Sequence, residues 1–278
     1  MCRWLAYSGP RLSLNMLLFE PENSLIRQSL SAANSVVPTN GDGFGLGWYD
    51  EYPEPGLFRD TVPAWNDTNL KSVARHIRSG LFFAHFRAST GTSTSRDNCH
   101  PFIHGHAMFM HNGAVGGYGK IRRDLEHLIP TDLYHARQGT TDTEAFFLLA
   151  LGHGLLEDPA AALARTTALI EDLMAAQEVT EPLQAAVAFS DGKTITALRY
   201  SSDRQSPSMY YRASGDLYMR DGQIHFADVE DTTLILSEPL EKPDDNWTEV
   251  PEGSVFTAQG SKTSVTPFQP VYSPTPAA

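Results

Sequence analysis

Only two cysteines occur among the 278 residues, Cys2 and Cys99, and no C-x-x-C spacing is present. That excludes a disulfide framework and makes a reducing compartment, the cytoplasm by default, the expectation. Positive charge is scarce as well. Lys plus Arg number 21 against 33 Asp plus Glu, a formal net charge of -12, and no stretch gathers basic residues into a patch. Such a chain repels a phosphate backbone, so nucleic acid is not an expected partner. Long apolar runs are also missing: none approaches the roughly 20 residues of a membrane span. The opening MCRWLAYSGPRLSLNMLLFEPENS is broken by Arg3, Gly9, Pro10, Arg11 and Glu20, so it lacks the continuous apolar core of a signal peptide. The chain is expected to be neither exported nor embedded. No internal repeat and no linker divides it, and with 41% hydrophobic residues it can bury a sizeable core.

What is present alternates between two kinds of pattern. CRWLAYS (2–8), GFGLGWYD (43–50), LFFAHFRAS (81–89) and GHAMFMHNG (105–113) are short and rich in aromatic or apolar residues, which predicts strands. Between them, Leu70, Val73, Ala74 and Ile77 recur at helical spacing behind the cap candidates Asp67 and Thr68. Residues 140–178 predict two helices split near Glu157, Asp158 and Pro159. LQAAVAFS and KTITALRY flank the hairpin signal Ser190-Asp191-Gly192, and further strands are predicted near 215–219, 223–227, 232–237 and 253–258. The Pro, Ser and Thr-rich ending after Gly260 reads as a tail. Strands, then helices, then strands point to an α+β fold of two sheets with helices packed outside.

Several residues carry chemical interest. GDGFGLG (41–47) has the glycines of a dinucleotide loop but not its strand-before, helix-after context, so these glycines predict close approach of another backbone or a ligand. His104 and His106 would share one face of a strand, with His100 and His111 nearby, yet no acidic residue in the segment completes a metal set. Satisfied or exposed histidines are the preferred reading. Asn112-Gly113 is by itself a hairpin-turn signal; it is also a pair of donors suited to an oxyanion. Arg87, near the end of an apolar strand, either pairs structurally or binds a carboxylate through its planar fork. Asp142 either caps the helix that follows or holds a cation. Cys2 directly follows Met1. If an aminopeptidase removes Met1, a thiol and a free α-amine share one carbon, and the nucleophile carries its own base.

Cys2, NGDGFG (40–45), HFRAST (85–90), HPF (100–102), HNG (111–113) and TDTE (141–144) stand in the order seen in class II glutamine amidotransferase domains, and the chain resembles them. The resemblance implies a four-layer αββα N-terminal nucleophile hydrolase fold spanning residues 2–258, with 259–278 as tail. It implies Cys2 as nucleophile, Asn112 and Gly113 as oxyanion hole, Arg87 on the substrate α-carboxylate and Asp142 on the α-amine. Thr90 and the backbone from His111 to Gly113 would line the same pocket, while His85 and His100 match motif positions without an assigned role. FRDTVPAWNDTNLKSVARHIRSG and LSEPLEKPDDNWTEVPEGSVF are similar to the stand-alone branch, which includes the γ-glutamyl hydrolase of ergothioneine biosynthesis and glutathione-degradation relatives. Cys2-Arg3 replaces the Cys-Gly start of many members, which leaves specificity open. The implied activity is hydrolysis of a γ-glutamyl amide of a small molecule through a thioester, with no cofactor and no metal. The alternatives are a glutaminase subunit that hands ammonia to a separate synthase, and a silent glutamine or γ-glutamyl binding module.

Overall fold

The computed structural model describes residues 2–30, 39–89, 93–213, 217–220, 223–226, 231–241 and 246–272. One sheet contains β1 (Arg3–Ser13), β2 (Phe44–Tyr49), β3 (Gly56–Asp60), β4 (Arg78–Phe86), β9 (Tyr210–Ala213), β12 (Thr233–Leu236) and β13 (Thr248–Glu249), in the order β13-β9-β12-β1-β4-β2-β3. The other contains β5 (Phe102–His104), β6 (Ala107–Val115), β7 (Leu183–Ser190), β8 (Ile195–Ser201), β14 (Ser254–Gln259) and β15 (Lys262–Pro267), in the order β15-β14-β8-β7-β6-β5. A separate hairpin joins β10 (Leu217–Arg220) to β11 (Gln223–Phe226). Pairing is antiparallel in both sheets.

The helices are α1 (Asn15–Leu18), α2 (Leu25–Leu30), α3 (Thr68–His76), α4 (Tyr118–His127), α5 (Thr131–Tyr134), α6 (Asp142–Gly152) and α7 (Pro159–Ala176). Leu17, Leu18, Leu25, Leu70 and Ala74 of α1, α2 and α3 pack on the outer face of the first sheet. Ile121, Leu125, Phe146, Leu149, Leu163 and Ile170 of α4, α6 and α7 pack on the outer face of the second. The layering is αββα, as the sequence patterns and the resemblance implied. Helix starts follow their caps: Asp67 accepts from the N–H groups of Asn69 and Leu70 at 2.7 and 3.0 Å, and Asp158 accepts from Ala161 N–H at 3.1 Å just ahead of Pro159. α6 is apolar all round because it lies between the second sheet and α7.

Side-chain alternation decides what meets between the sheets. On β1, Trp4 and Ala6 face the second sheet while Leu5 and Tyr7 face the helices. On β4, Leu81 and Phe83 face inward and Phe82, Ala84 and Phe86 outward; on β6, Met108 and Met110 face inward and Ala107 and Phe109 outward. Continuing each series carries Cys2, His85, Arg87 and Asn112 to the shared inner face.

Several expectations are corrected. Asn112-Gly113 is not a turn but lies inside β6, in register with Ala186 and Ala185 of β7. A hairpin signal yields where the flanking apolar alternation continues through it. His104 ends β5, and His106 lies in the turn before β6, so the two do not share a strand face. The chain after Gly260 is not all tail: β15 pairs with β14, and Phe268 is buried against the helical layer of the second sheet. The glycines of GDGFGLG admit backbone and side chain, not phosphate. A Cβ on Gly45 would lie 2.0 Å from the His100 carbonyl oxygen, and one on Gly47 would lie 2.3 Å from Met108 Sδ. Among the described residues no helix is long and apolar enough to cross a membrane, and no group of three His, Cys, Asp or Glu is placed to hold a metal ion.

Candidate active site

Cys2 precedes the first residue of β1. The register Arg3↔Phe86 and Trp4↔His85, carried one step further, sets it opposite Arg87. Its thiol lies against the peptide of Ala88: Sγ is 3.6 Å from the Ala88 carbonyl oxygen and 3.4 Å from its nitrogen. The carbonyl accepts from the thiol and the N–H donates to the thiolate, so the main chain of one residue serves both protonation states. Burial pushes the Cys2 thiol up, while the Ala88 N–H, Arg87 and Arg3 pull the other way. Arg3 is buried, donates to the Cys2 carbonyl at 3.3 Å and pairs with Glu238 at 2.6 Å, which fixes the peptide that follows Cys2.

The second sheet supplies the facing group. Cys2 N–H donates to Asn112 Oδ1 at 3.1 Å, a bond that spans the two sheets. With Oδ1 committed to that nitrogen, Nδ2 is the donor Asn112 offers a ligand. Gly113 follows where no side chain fits: a Cβ there would lie 2.0 Å from Gln184 O and 2.5 Å from His111 Nε2. His111 turns the opposite way, against Phe146 in the helical layer. Its Nε2 lies 2.9 Å from the Gln184 carbonyl, which can only accept, so Nε2 carries the proton and Nδ1 accepts from the Thr143 hydroxyl at 3.0 Å. Burial holds His111 neutral, against the opposing pull of Asp142. Only the main chain of His111 is therefore available to a ligand.

Arg87 is buried and held from both sides. Its guanidinium donates to the carbonyls of Asp42 and Ser93, each at 3.4 Å, and its main chain pairs with Asp42 and Gly43. The Asp42 carboxylate accepts from Ser89 N–H at 2.7 Å, anchoring the segment that leaves β4. Thr90 and Met1 lie outside the described residues. Asp142 is the first residue of α6, and its cap is the preceding Thr141, which accepts from Glu144 N–H at 3.2 Å. Freed from capping, the Asp142 carboxylate accepts from Val115 N–H and Thr143 N–H, each at 2.8 Å, tying the helix to the end of β6.

His85 and His100 form a buried pair, Nε2 to Nδ1 3.0 Å. Burial first, then Arg87 and His111, pushes His85 down to about 3, and burial likewise lowers His100. Cys99 is fully buried, its thiol against the carbonyls of Asp60 and Ser95, and burial raises its pKa. Another cavity, about 850 Å³, opens beside α4 and is lined by Arg122, Arg123, His127 and Tyr134, none of them among these residues.

Cys2 and the Asn112 amide meet where the two sheets face each other. Residues 19–277 match the family described as glutamine amidotransferases class-II. The chain belongs to this family. The match begins after β1, so Cys2 stands outside the matched residues and rests on its geometry. The chain is 33% identical over 290 residues to Probable glutamine amidotransferase DUG3 of Saccharomyces cerevisiae, covering 92% of this chain and 81% of the yeast protein. Gamma-glutamyl-hercynylcysteine sulfoxide hydrolase of Mycolicibacterium smegmatis is 32% identical over 117 residues, 41% of this chain and 52% of that protein. Among solved structures, a glutamine aminotransferase class-II domain protein of Silicibacter pomeroyi superposes with a TM-score of 0.74 at 38% identity, over 97% of this chain and 100% of that one. Glutamine phosphoribosylpyrophosphate amidotransferase of B. subtilis shares the fold alone, with a TM-score of 0.61 at 14% identity, over 96% of this chain and 49% of that one.

Sequence reasoning did not single out Asp42, Glu144 or Asn98, which hold the loops around Arg87 and Asp142. Asp42 sits in a quoted motif and was within reach. Asn98, in RDNCHPF, offers no pattern by which a buried asparagine is told from an exposed one.

Proposed function

We propose that the chain, once Met1 is removed, is an N-terminal cysteine amidohydrolase that cleaves the γ-glutamyl amide of glutamine or a related metabolite. The observation that carries this reading is the link between Cys2 and Asn112, which joins the nucleophile to its oxyanion donor across the sheets. The free amine of Cys2, with a reference pKa of about 7.7 to 8.0, is the base. It takes the thiol proton, Sγ bonds to the carbonyl carbon of the γ-amide, and the carbonyl electron pair moves onto oxygen, where Asn112 Nδ2 and Gly113 N–H receive it. Collapse of that intermediate restores the carbonyl and expels the leaving amine, which takes the proton back. Water, deprotonated by the same amine, then cleaves the thioester, releases the γ-carboxylate and restores the thiol. Arg87 holds the α-carboxylate and Asp142 the α-ammonium, so recognition is of the amino-acid head. The names of the yeast and mycobacterial relatives support this amidase chemistry, and a reducing cytoplasm suits a free catalytic thiol.

The test is release of glutamate from glutamine and from a γ-glutamyl anilide by protein of verified N-terminus. Chain beginning at Cys2 should turn over at least one of them, and chain retaining Met1 should not. Activity appearing only on addition of a synthase would make the protein an ammonia-donating subunit, and saturable binding without glutamate release would make it a silent binder.

A further inference from the structure

Arg87 and Asp142 sit on different elements, one just past β4 and the other at the start of α6, yet a zwitterionic head requires them at a fixed separation. Among the described residues, one side chain reaches toward both. Asn98 is 1% exposed and follows the 93–95 segment. Its Nδ2 donates to the Ser93 carbonyl at 2.8 Å, the same carbonyl that accepts from the Arg87 guanidinium at 3.4 Å. Nδ2 also lies 3.1 Å from the Thr140 hydroxyl, and Oδ1 accepts from Thr140 N–H at 2.8 Å, two residues before Asp142. The Thr140 N–H has only an acceptor to find, which fixes the orientation of the amide.

The second loop is shaped to receive it. A Cβ on Gly139 would lie 2.6 Å from Asn98 Oδ1 and 2.5 Å from the Asp97 carbonyl oxygen, so glycine is what lets the two loops touch. The buried Glu144 carboxylate accepts from Gln138 N–H and Gly139 N–H, each at 2.8 Å, and holds the far side of the same turn. From there the chain runs through Thr141, the cap, to Asp142.

We propose that Asn98 is a positioning residue that sets the distance between Arg87 and Asp142, and that it thereby selects substrates carrying both an α-carboxylate and an α-ammonium. The proposal rests on the functional reading above and deepens it. Asn98 touches neither pole. Its loss lets the Ser93 and Thr140 loops drift independently, so each pole still binds but the two no longer bind one head together.

The experiment compares three amides: glutamine, 4-aminobutanamide, which lacks the carboxylate, and glutaric acid monoamide, which lacks the amine. Each is measured by turnover or, where that is too slow, by protection of Cys2 from alkylation. Wild type should prefer glutamine to both. Asn98→Ala should narrow both preferences on the order of tenfold, the weight of one hydrogen bond to a charged group, while its constants for the single-pole amides change little. Ratios are used because partial unfolding lowers all three rates alike. Should Asn98→Ala not fold, Asn98→Asp keeps the acceptor for Thr140 N–H and removes the donor to Ser93. It should chiefly lose preference over the amide lacking the carboxylate. Parallel losses on all three amides in an active enzyme would overturn the role of Asn98 alone. A wild type that neither cleaves nor binds any of them overturns the functional reading with it.

Discussion

Cys2 and Asn112 are placed by strand ladders, whereas the surroundings of Arg87 and Asp142 are placed by buried polar side chains reaching between loops. β1 and β6 lie within their sheets, β1 between β12 and β4 and β6 between β7 and β5. Their register follows from which residues must be buried, because a slip of one residue would expose an apolar face. Asn98, Glu144 and Asp42 instead satisfy main-chain groups that no ladder reaches. Under the proposed function the difference becomes a division of labour: strand-borne groups do the chemistry, and loop-borne groups, held by a few hydrogen bonds, choose the substrate.

The sharpest way to break that comparison is at the nucleophile. Cys2→Ala should abolish turnover while thermal unfolding and substrate capture stay close to wild type; residual activity in protein free of contaminating amidase would contradict the strand half of the account. Next comes Asn112→Ala, expected to lower kcat by about a hundredfold, on the order of 3 kcal/mol for one oxyanion donor, with little change in KM. Steady-state kinetics showing only a raised KM would move Asn112 to the capture half. Arg87→Lys keeps charge but loses the fork, and should cost on the order of tenfold in kcat/KM for glutamine. The same substitution should leave 4-aminobutanamide unaffected, and equal losses on both would remove Arg87 from the carboxylate. The effect least tied to activity is on the scaffold the halves share. His85, His100 and His111 are buried with lowered pKa values, so the unfolded chain takes up their protons first. Stability should therefore be intact above about pH 6.5 and fall below it, by about 1.4 kcal/mol per pH unit for each histidine at most. Denaturant midpoints that do not move between about pH 6.5 and about pH 4 would contradict their neutral burial.

The same contrast explains what could be read from the sequence. Period-two apolar patterns located β1, β2, β4 and β6, and caps located α3 and α7, because burial and local hydrogen bonding leave a mark every few residues. Asn112-Gly113 was misleading as a turn by statistics, since tertiary pairing with β7 decided its conformation. β15 was hidden because Lys262–Pro267 is polar and exposed on both faces, so its pairing leaves no alternation to read. Short helices such as α1 and α2 were missed because neither is long enough to repeat the helical period of about 3.6 residues. Asn98 was out of reach for a further reason: its partners lie 5 and 42 residues away, and nothing local distinguishes it.

The central claim is that Cys2 is a nucleophile in a pocket for γ-glutamyl compounds. Its most direct test is the intact mass of the purified chain before and after exposure to a glutamine-mimicking diazoketone. The account predicts a mass beginning at Cys2, a single adduct, loss of that adduct in Cys2→Ala, and protection by glutamine. A chain that begins at Cys2 and stays unlabelled, or that is labelled equally in Cys2→Ala, would contradict it.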